Sequence, residues 1–145
     1  MLLLSIHPVY VEKIFAGMKT VELRKRKPNV EAGSKVVIYS TMPECEIVGF
    51  ATISGFEVCS PNQLWNKVNS SCGVTKAEFN SYFSNSEISV GIHLTEPVRF
   101  EDAFSLSNLR KLWPGFHPPQ QFQYLKESRL DTLFDQIKVS DQIKK

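Results

Sequence analysis

A chain of 145 residues and 16.5 kDa, 42% hydrophobic, 11% aromatic and 22% charged, has the size and make-up of one folded domain with its own core. That composition excludes a disordered, collagen-like or coiled-coil architecture, and the net charge of +2 gives no global polyelectrolyte character. The longest apolar runs, Met1–Leu4 and Val36–Ile38, fall far short of the roughly 20 residues needed to span a bilayer, so no membrane partner is expected.

In chain order, Leu2–Ile6 is a short apolar run closed by His7-Pro8 and reads as a buried strand. Pro8 suits the first turn of a helix, with Tyr10, Val11, Ile14, Phe15 and Met18 at helical spacing and Gly17 as its stop. Thr20–Arg24 alternates: Val21 and Leu23 point one way, while Thr20, Glu22 and Arg24 share the other face. Lys35–Tyr39 is a β-branched strand. Glu46–Phe56 is the longest strand candidate, and Gly49 and Gly55 within it mark the bends a small closed barrel requires.

Ser60-Pro61 opens a helix through Leu64, Trp65 and Val68, and Thr75-Lys76-Ala77-Glu78 is a capping box for a second. Ile88–Leu94 and Val98–Phe104 read as two strands around Thr95-Glu96-Pro97. Ser107–Trp113 forms a short helix, Phe116–Phe122 has no period, and Leu125–Ile137 predicts a helix with Leu130, Leu133, Phe134 and Ile137 on one face. The expected class is α+β, a small β-barrel with flanking helices over residues 1–104 and a C-terminal helical extension, 105–145, packed on the same domain.

The three cysteines, Cys45, Cys59 and Cys72, are odd in number and lack any close spacing, as expected of reduced thiols in a cytoplasmic protein. His7, His93 and His117 are too dispersed for a metal motif, so neither metal nor cofactor is expected. Charge is uneven: residues 1–36 carry seven Lys/Arg against three Glu, and five of those cations fall within Lys19–Lys27. A run of this kind is either a solvated edge or the footprint of a phosphate-bearing partner.

Within that run a hydroxyl, a carboxylate and a guanidinium (Thr20, Glu22, Arg24) line one strand face at intervals of about 6.6–6.8 Å, with Lys19 at the turn beside them. A carboxylate among cations favours its charged form and accepts hydrogen bonds from a nucleobase amino group while the cations hold phosphate. The bland alternative is a surface ion pair worth about 0–1 kcal/mol.

Ser5-Ile6-His7-Pro8, a helix, and then Gly17-x-Lys19-x-x-Glu22-x-Arg24 resemble the ASCH family of the PUA-like superfamily, whose mark is GxKxxExR. Val36–Tyr39 with Ser40 and Thr41 resembles its next strand, and the tail resembles longer bacterial and phage-type members. The resemblance implies a barrel with a cleft suited to RNA or a modified nucleoside, lined by Lys19, Glu22 and Arg24. Lys25, Arg26 and Ser40 are nominated beside them, with Tyr39 and Tyr82 as stacking aromatics.

Some family members are amidohydrolases acting on N4-acetylcytidine through a Lys base, a Thr nucleophile three residues on, and a Glu acid. Lys19 matches the first role, but Glu22 occupies the nucleophile position, Thr20 is adjacent to Lys19, and the acid falls near Cys72 with Glu78 downstream. The expected function is therefore RNA or modified-nucleoside binding, with such a hydrolase as the alternative. A ribonuclease or a protein or small-molecule interaction module comes third; a single Glu among cations is a poor metal site.

Overall fold

The computed structural model describes residues 1–144, with side chains described through Ile137. The elements run β1 (Leu2–Ile6), α1 (Pro8–Phe15), β2 (Val21–Arg24), β3 (Lys35–Ser40), β4 (Glu46–Cys59), α2 (Pro61–Val68) and α3 (Lys76–Tyr82). There follow β5 (Ser89–Ser105), α4 (Leu106–Leu112), β6 (Phe122–Tyr124) and α5 (Glu127–Lys144). The strands make one six-stranded sheet in the order β2-β5-β4-β3-β1-β6, curled into an open half-barrel.

Alternation along the strands divides the core between the two faces of this sheet. Leu2, Leu4 and Ile6 of β1 pack with Val36, Ile38, Ile53 and Ile92, and with Val11 and Ile14 of α1. Leu3, Val37, Tyr39 and Ile47 point the other way, into a second cluster closed by Leu109, Trp113, Phe116, Leu125, Leu130 and Leu133. The segment after β5 thus covers the outer face of the sheet. β1, buried on both faces, is apolar throughout apart from Ser5 and pairs parallel with β3 from Leu2↔Val36 to Ile6↔Ser40. A third cluster sets Val21 and Leu23 of β2 against Leu64 and Val68 of α2, Phe79 of α3 and Phe83, which caps that helix.

The curl follows the glycines. The β4–β5 register shifts between Ile47 and Gly49 and again between Ile53 and Gly55, and such bulges increase local twist. At Gly49 a Cβ would collide with the Val98 carbonyl and lie 2.7 Å from Phe15 Cζ, so the residue also admits α1 and β5 to close contact.

Three readings of the sequence need correction. The strands expected around Thr95-Glu96-Pro97 are one, β5, which passes Glu96 at φ 51° without ending. Phe122–Tyr124 is a strand, paired antiparallel to β1, although three residues are too few to show a period. Met18 lies beyond α1 and is exposed, because the helix stops at Ala16 and Gly17 turns the chain at φ 79°. Among the described residues no helix is long and apolar enough to cross a membrane.

A buried Lys–Glu–Arg pocket

β2 is an edge strand, and β1 lies at the far side of the sheet, so the curl leaves a gap between them. Arg24 spans it: Nη2 donates to the Ser5 carbonyl at 2.8 Å and Nη1 to the Leu23 carbonyl at 3.1 Å. A cavity of about 170 Å³ fills the gap. Its walls come from β1 and the start of α1 (Ser5, His7, Tyr10), from Lys19 and β2 (Glu22, Arg24), and from α3 (Tyr82).

Lys19 is aimed inward by the turn that ends α1. The Met18 and Lys19 amides both donate to the Lys13 carbonyl, at 2.9 and 3.1 Å, while those of Thr20 and Val21 donate to Ser71 O at 2.9 and 3.1 Å. The loop after α2 is thereby fastened over the lysine, whose Nζ donates to the Cys72 carbonyl. Gly73, at φ 71°, rests on the lysine stem so closely that a Cβ there would come within 3.0–3.2 Å of Lys19 Cβ, Cγ and Cδ. Lys19 is 1% exposed. Burial pushes its pKa below the ordinary lysine value; Arg24 adds to that and the Glu22 carboxylate opposes it without prevailing.

Glu22 Oε1 lies 3.6 Å from Lys19 Nζ and 3.7 Å from Arg24 Nη1, and accepts from the Leu23 amide at 3.0 Å. Two cations and one carboxylate are therefore nearly removed from water at one place, which leaves a local positive excess. Tyr82, held neutral by burial that raises its pKa, carries Lys25 Nζ 5.0 Å from its ring centroid. Burial likewise raises the Tyr10 pKa, and its ring lies 5.2 Å from Lys19 Nζ.

Three buried polar atoms in this wall have no hydrogen-bond partner among the described residues: Glu22 Oε2, Arg24 Nε and the Tyr82 hydroxyl. Arg24 and Gln121 lie near enough to that hydroxyl to influence its titration, but neither completes a hydrogen bond. Leaving such a group unsatisfied costs about 1–3 kcal/mol each. An acceptor, a donor and a phenol that can act as either are thus left without partners within the wall of one small cavity.

Of the residues nominated from the sequence, the structure brings together Lys19, Glu22, Arg24 and Tyr82. Lys25 and Arg26 are exposed beside them, Arg26 Cζ lying 5.4 Å from the Phe122 ring. Thr20 is exposed and outside the pocket wall, since it precedes the strand and its amide pairs with the α2–α3 loop. Tyr39 and Ser40 are buried on β3, and Tyr39 belongs to the cluster on the outer face of the sheet, its pKa pushed up to about 12 by burial and by Cys45. Glu78 is exposed on α3 and receives a hydrogen bond from Tyr10 at 3.0 Å.

Sequence reasoning passed over Ser5, His7 and Tyr10 as site residues. His7 and Tyr10 stand three apart across the start of α1, the spacing that puts two side chains on one helical face, and their rings meet edge-on at 6.1 Å. No group of three or more His, Cys, Asp or Glu that could hold a metal occurs among the described residues.

The curled six-stranded sheet with its flanking helices is that of an ASCH domain of PUA-like fold. The chain belongs to the family described as "Domain of unknown function (DUF365)", whose model matches residues 3–117. It is 26% identical over 132 residues to the "ASCH domain-containing ribonuclease" of Zymomonas mobilis, a match that covers 90% of this chain and 87% of that protein. The crystal structure of ASCH from Zymomonas mobilis superposes at a TM-score of 0.88 and 25% identity, covering 92% of this chain and 93% of the other. Human THYN1, crystallised in complex with DNA containing 5-methylcytosine, shares the fold at a TM-score of 0.58 and 14% identity, covering 94% of this chain and 96% of that one.

Proposed function

We propose that this protein binds single-stranded RNA by drawing one base into the Lys19–Glu22–Arg24 pocket while the exposed Lys25 and Arg26 hold the adjoining phosphates. The observation that carries this reading is the trio of buried, unpartnered polar atoms on Glu22, Arg24 and Tyr82. A ligand that supplies a donor to Glu22 Oε2 and an acceptor to Arg24 Nε satisfies groups the fold leaves open. An amino-bearing base with a ring acceptor beside the amino group, cytosine or adenine, offers that pair. In the same pose uracil turns its O4 carbonyl oxygen toward the carboxylate, because its own donor, N3–H, lies one ring position away from where cytosine carries its amino group.

The volume supports a base rather than a larger ligand. At about 170 Å³, the cavity is smaller than the roughly 300–1,000 Å³ of sites for drug-sized molecules. Lys25 and Arg26 are accessible to solvent next to the pocket, where phosphates attached to an inserted base would lie. The test is fluorescence anisotropy on labelled eight-nucleotide single-stranded RNAs across a salt series. Glu22→Gln should erase discrimination between cytosine and uracil, because an amide can donate as well as accept. Lys25→Ala and Arg26→Ala should weaken all sequences alike and flatten the salt slope by about one each. Equal loss for all three variants on every sequence would refute the division between base and phosphate contacts.

A second reading, RNA cleavage, is favoured by the lowered pKa of Lys19 together with the ribonuclease named in Zymomonas mobilis. A buried lysine that releases its proton more readily than usual can act as a general base. Incubation of end-labelled RNA with the protein, with and without Mg²⁺, then shows discrete fragments that vanish in Lys19→Met. Intact RNA in both conditions leaves binding as the function. Amide hydrolysis by Thr20 is not supported, since that hydroxyl lies outside the pocket wall.

A further inference from the structure

A second cavity, of about 380 Å³, opens on the other side of the His7–Tyr10 pair and is lined by His7, Val9, Tyr10, Lys13 and Glu78. It shares His7 and Tyr10 with the base pocket, so two rings form the partition between the cavities. We infer that this cavity is a second base subsite, which receives the nucleotide adjoining the one in the Lys19–Glu22–Arg24 pocket. The inference rests on the RNA-binding reading and extends it from one nucleotide to two.

Charge separates a base from a phosphate as the occupant. Lys13 Nζ is committed to the Gly73 carbonyl at 2.7 Å. The Glu78 carboxylate takes the Thr75 amide at 2.9 Å and the Tyr10 hydroxyl at 3.0 Å, and the Thr75 hydrogen bonds hold its pKa below the usual range, so it stays ionised. One cation and one anion balance, and the anion would repel a phosphate. The remaining surface is an exposed imidazole and Val9, 55% exposed. A charge-balanced, partly apolar surface that carries aromatic rings beside a base pocket suits a second base, because stacking on an aromatic ring tolerates any sequence.

The experiment measures binding of three trinucleotides by calorimetry: one of cytidines throughout, and two with a cytidine at the centre and an abasic residue on the 5′ or the 3′ side. In the wild type one of the two abasic ligands should bind about tenfold more weakly than the full trinucleotide, within the range expected for a stacked base. Two variants should abolish that difference. His7→Asn keeps a side-chain acceptor for the Val9 amide, which His7 Nδ1 now accepts at 3.3 Å, but removes the ring. Val9→Asp places an anion in the subsite at a position where helix starts favour acids. If both abasic ligands match the full trinucleotide while Glu22→Gln still erases the preference for cytosine, the subsite is refuted and the base pocket stands. If no trinucleotide binds at any salt concentration, both fall together.

Discussion

Replacing Glu22 by Gln keeps shape and length but strips the only carboxylate among the described residues in contact with both Lys19 and Arg24, which lie 3.6 and 3.7 Å from Oε1. Removing one partner of a buried pair typically costs about 3–5 kcal/mol, because the other charge is left uncompensated. Here the separations exceed the 2.7–2.9 Å typical of a tight charge-assisted bond, and the glutamine oxygen can still accept from the Leu23 amide. A loss of about 3 kcal/mol at pH 7 follows, or roughly 6–12 °C in Tm for a domain of this size.

The loss should depend on pH in a definite direction. The Lys19 pKa is lowered by folding, so the native state releases a proton that the unfolded chain keeps, and stability rises with pH between the lowered value and the ordinary one. Without Glu22 that pKa drops further and the window widens toward neutral pH. Once Lys19 is neutral it no longer needs the carboxylate. Urea denaturation at pH 7 and pH 9.5 should therefore show the deficit of the variant shrinking at the higher pH. A deficit below about 0.5 kcal/mol at pH 7, or one that does not change with pH, would mean that Glu22 is not the counter-ion of a buried lysine.

Tyr39, with its pKa raised to about 12, keeps its proton in the native state after the unfolded chain has lost its own. Its contribution is complete below pH 10 and is lost as pH rises through about 12, so Tyr39→Phe should flatten that limb of the stability curve; an unchanged limb contradicts the assignment. Gly49→Ala forces a Cβ against the Val98 carbonyl and Phe15 and should cost about 3 kcal/mol or more by thermal denaturation. Thr20→Ala, at an exposed position outside the pocket, should change stability by less than about 0.5 kcal/mol. RNA affinity should not move either, and a marked loss of binding would return Thr20 to the site.

The sequence made the fold legible wherever one residue class repeated at one period. The all-apolar face of β1, the proline-opened helix α1, the bulge glycines of β4, the Ser60-Pro61 start of α2 and the capping box of α3 each carry a local physical signal, and each element forms where that signal lies. β6 carries none, since its existence depends on pairing with β1 across more than a hundred residues of chain.

The site divides in the same way. Glu22 and Arg24 share a strand face by alternation alone, but the roof over Lys19 is made by Ser71, Cys72 and Gly73, which nothing local connects to residue 19. The burial that lowers the lysine pKa is thus a tertiary property. Tyr39 shows the opposite failure: an aromatic in an alternating strand has two faces to choose from, and the packing of α4 and α5 on the outer face of the sheet decided for the core.

The central claim is that the open acceptor on Glu22 and the open donor on Arg24 select an amino-bearing base in single-stranded RNA. The most direct measurement is the affinity of the unmodified protein for an eight-nucleotide oligocytidine and an oligouridine of equal length at matched salt, by anisotropy. The account predicts that oligocytidine binds about 5- to 150-fold more tightly, the equivalent of about 1–3 kcal/mol for a paired base contact. Equal affinities, or a preference for uridine, would contradict it.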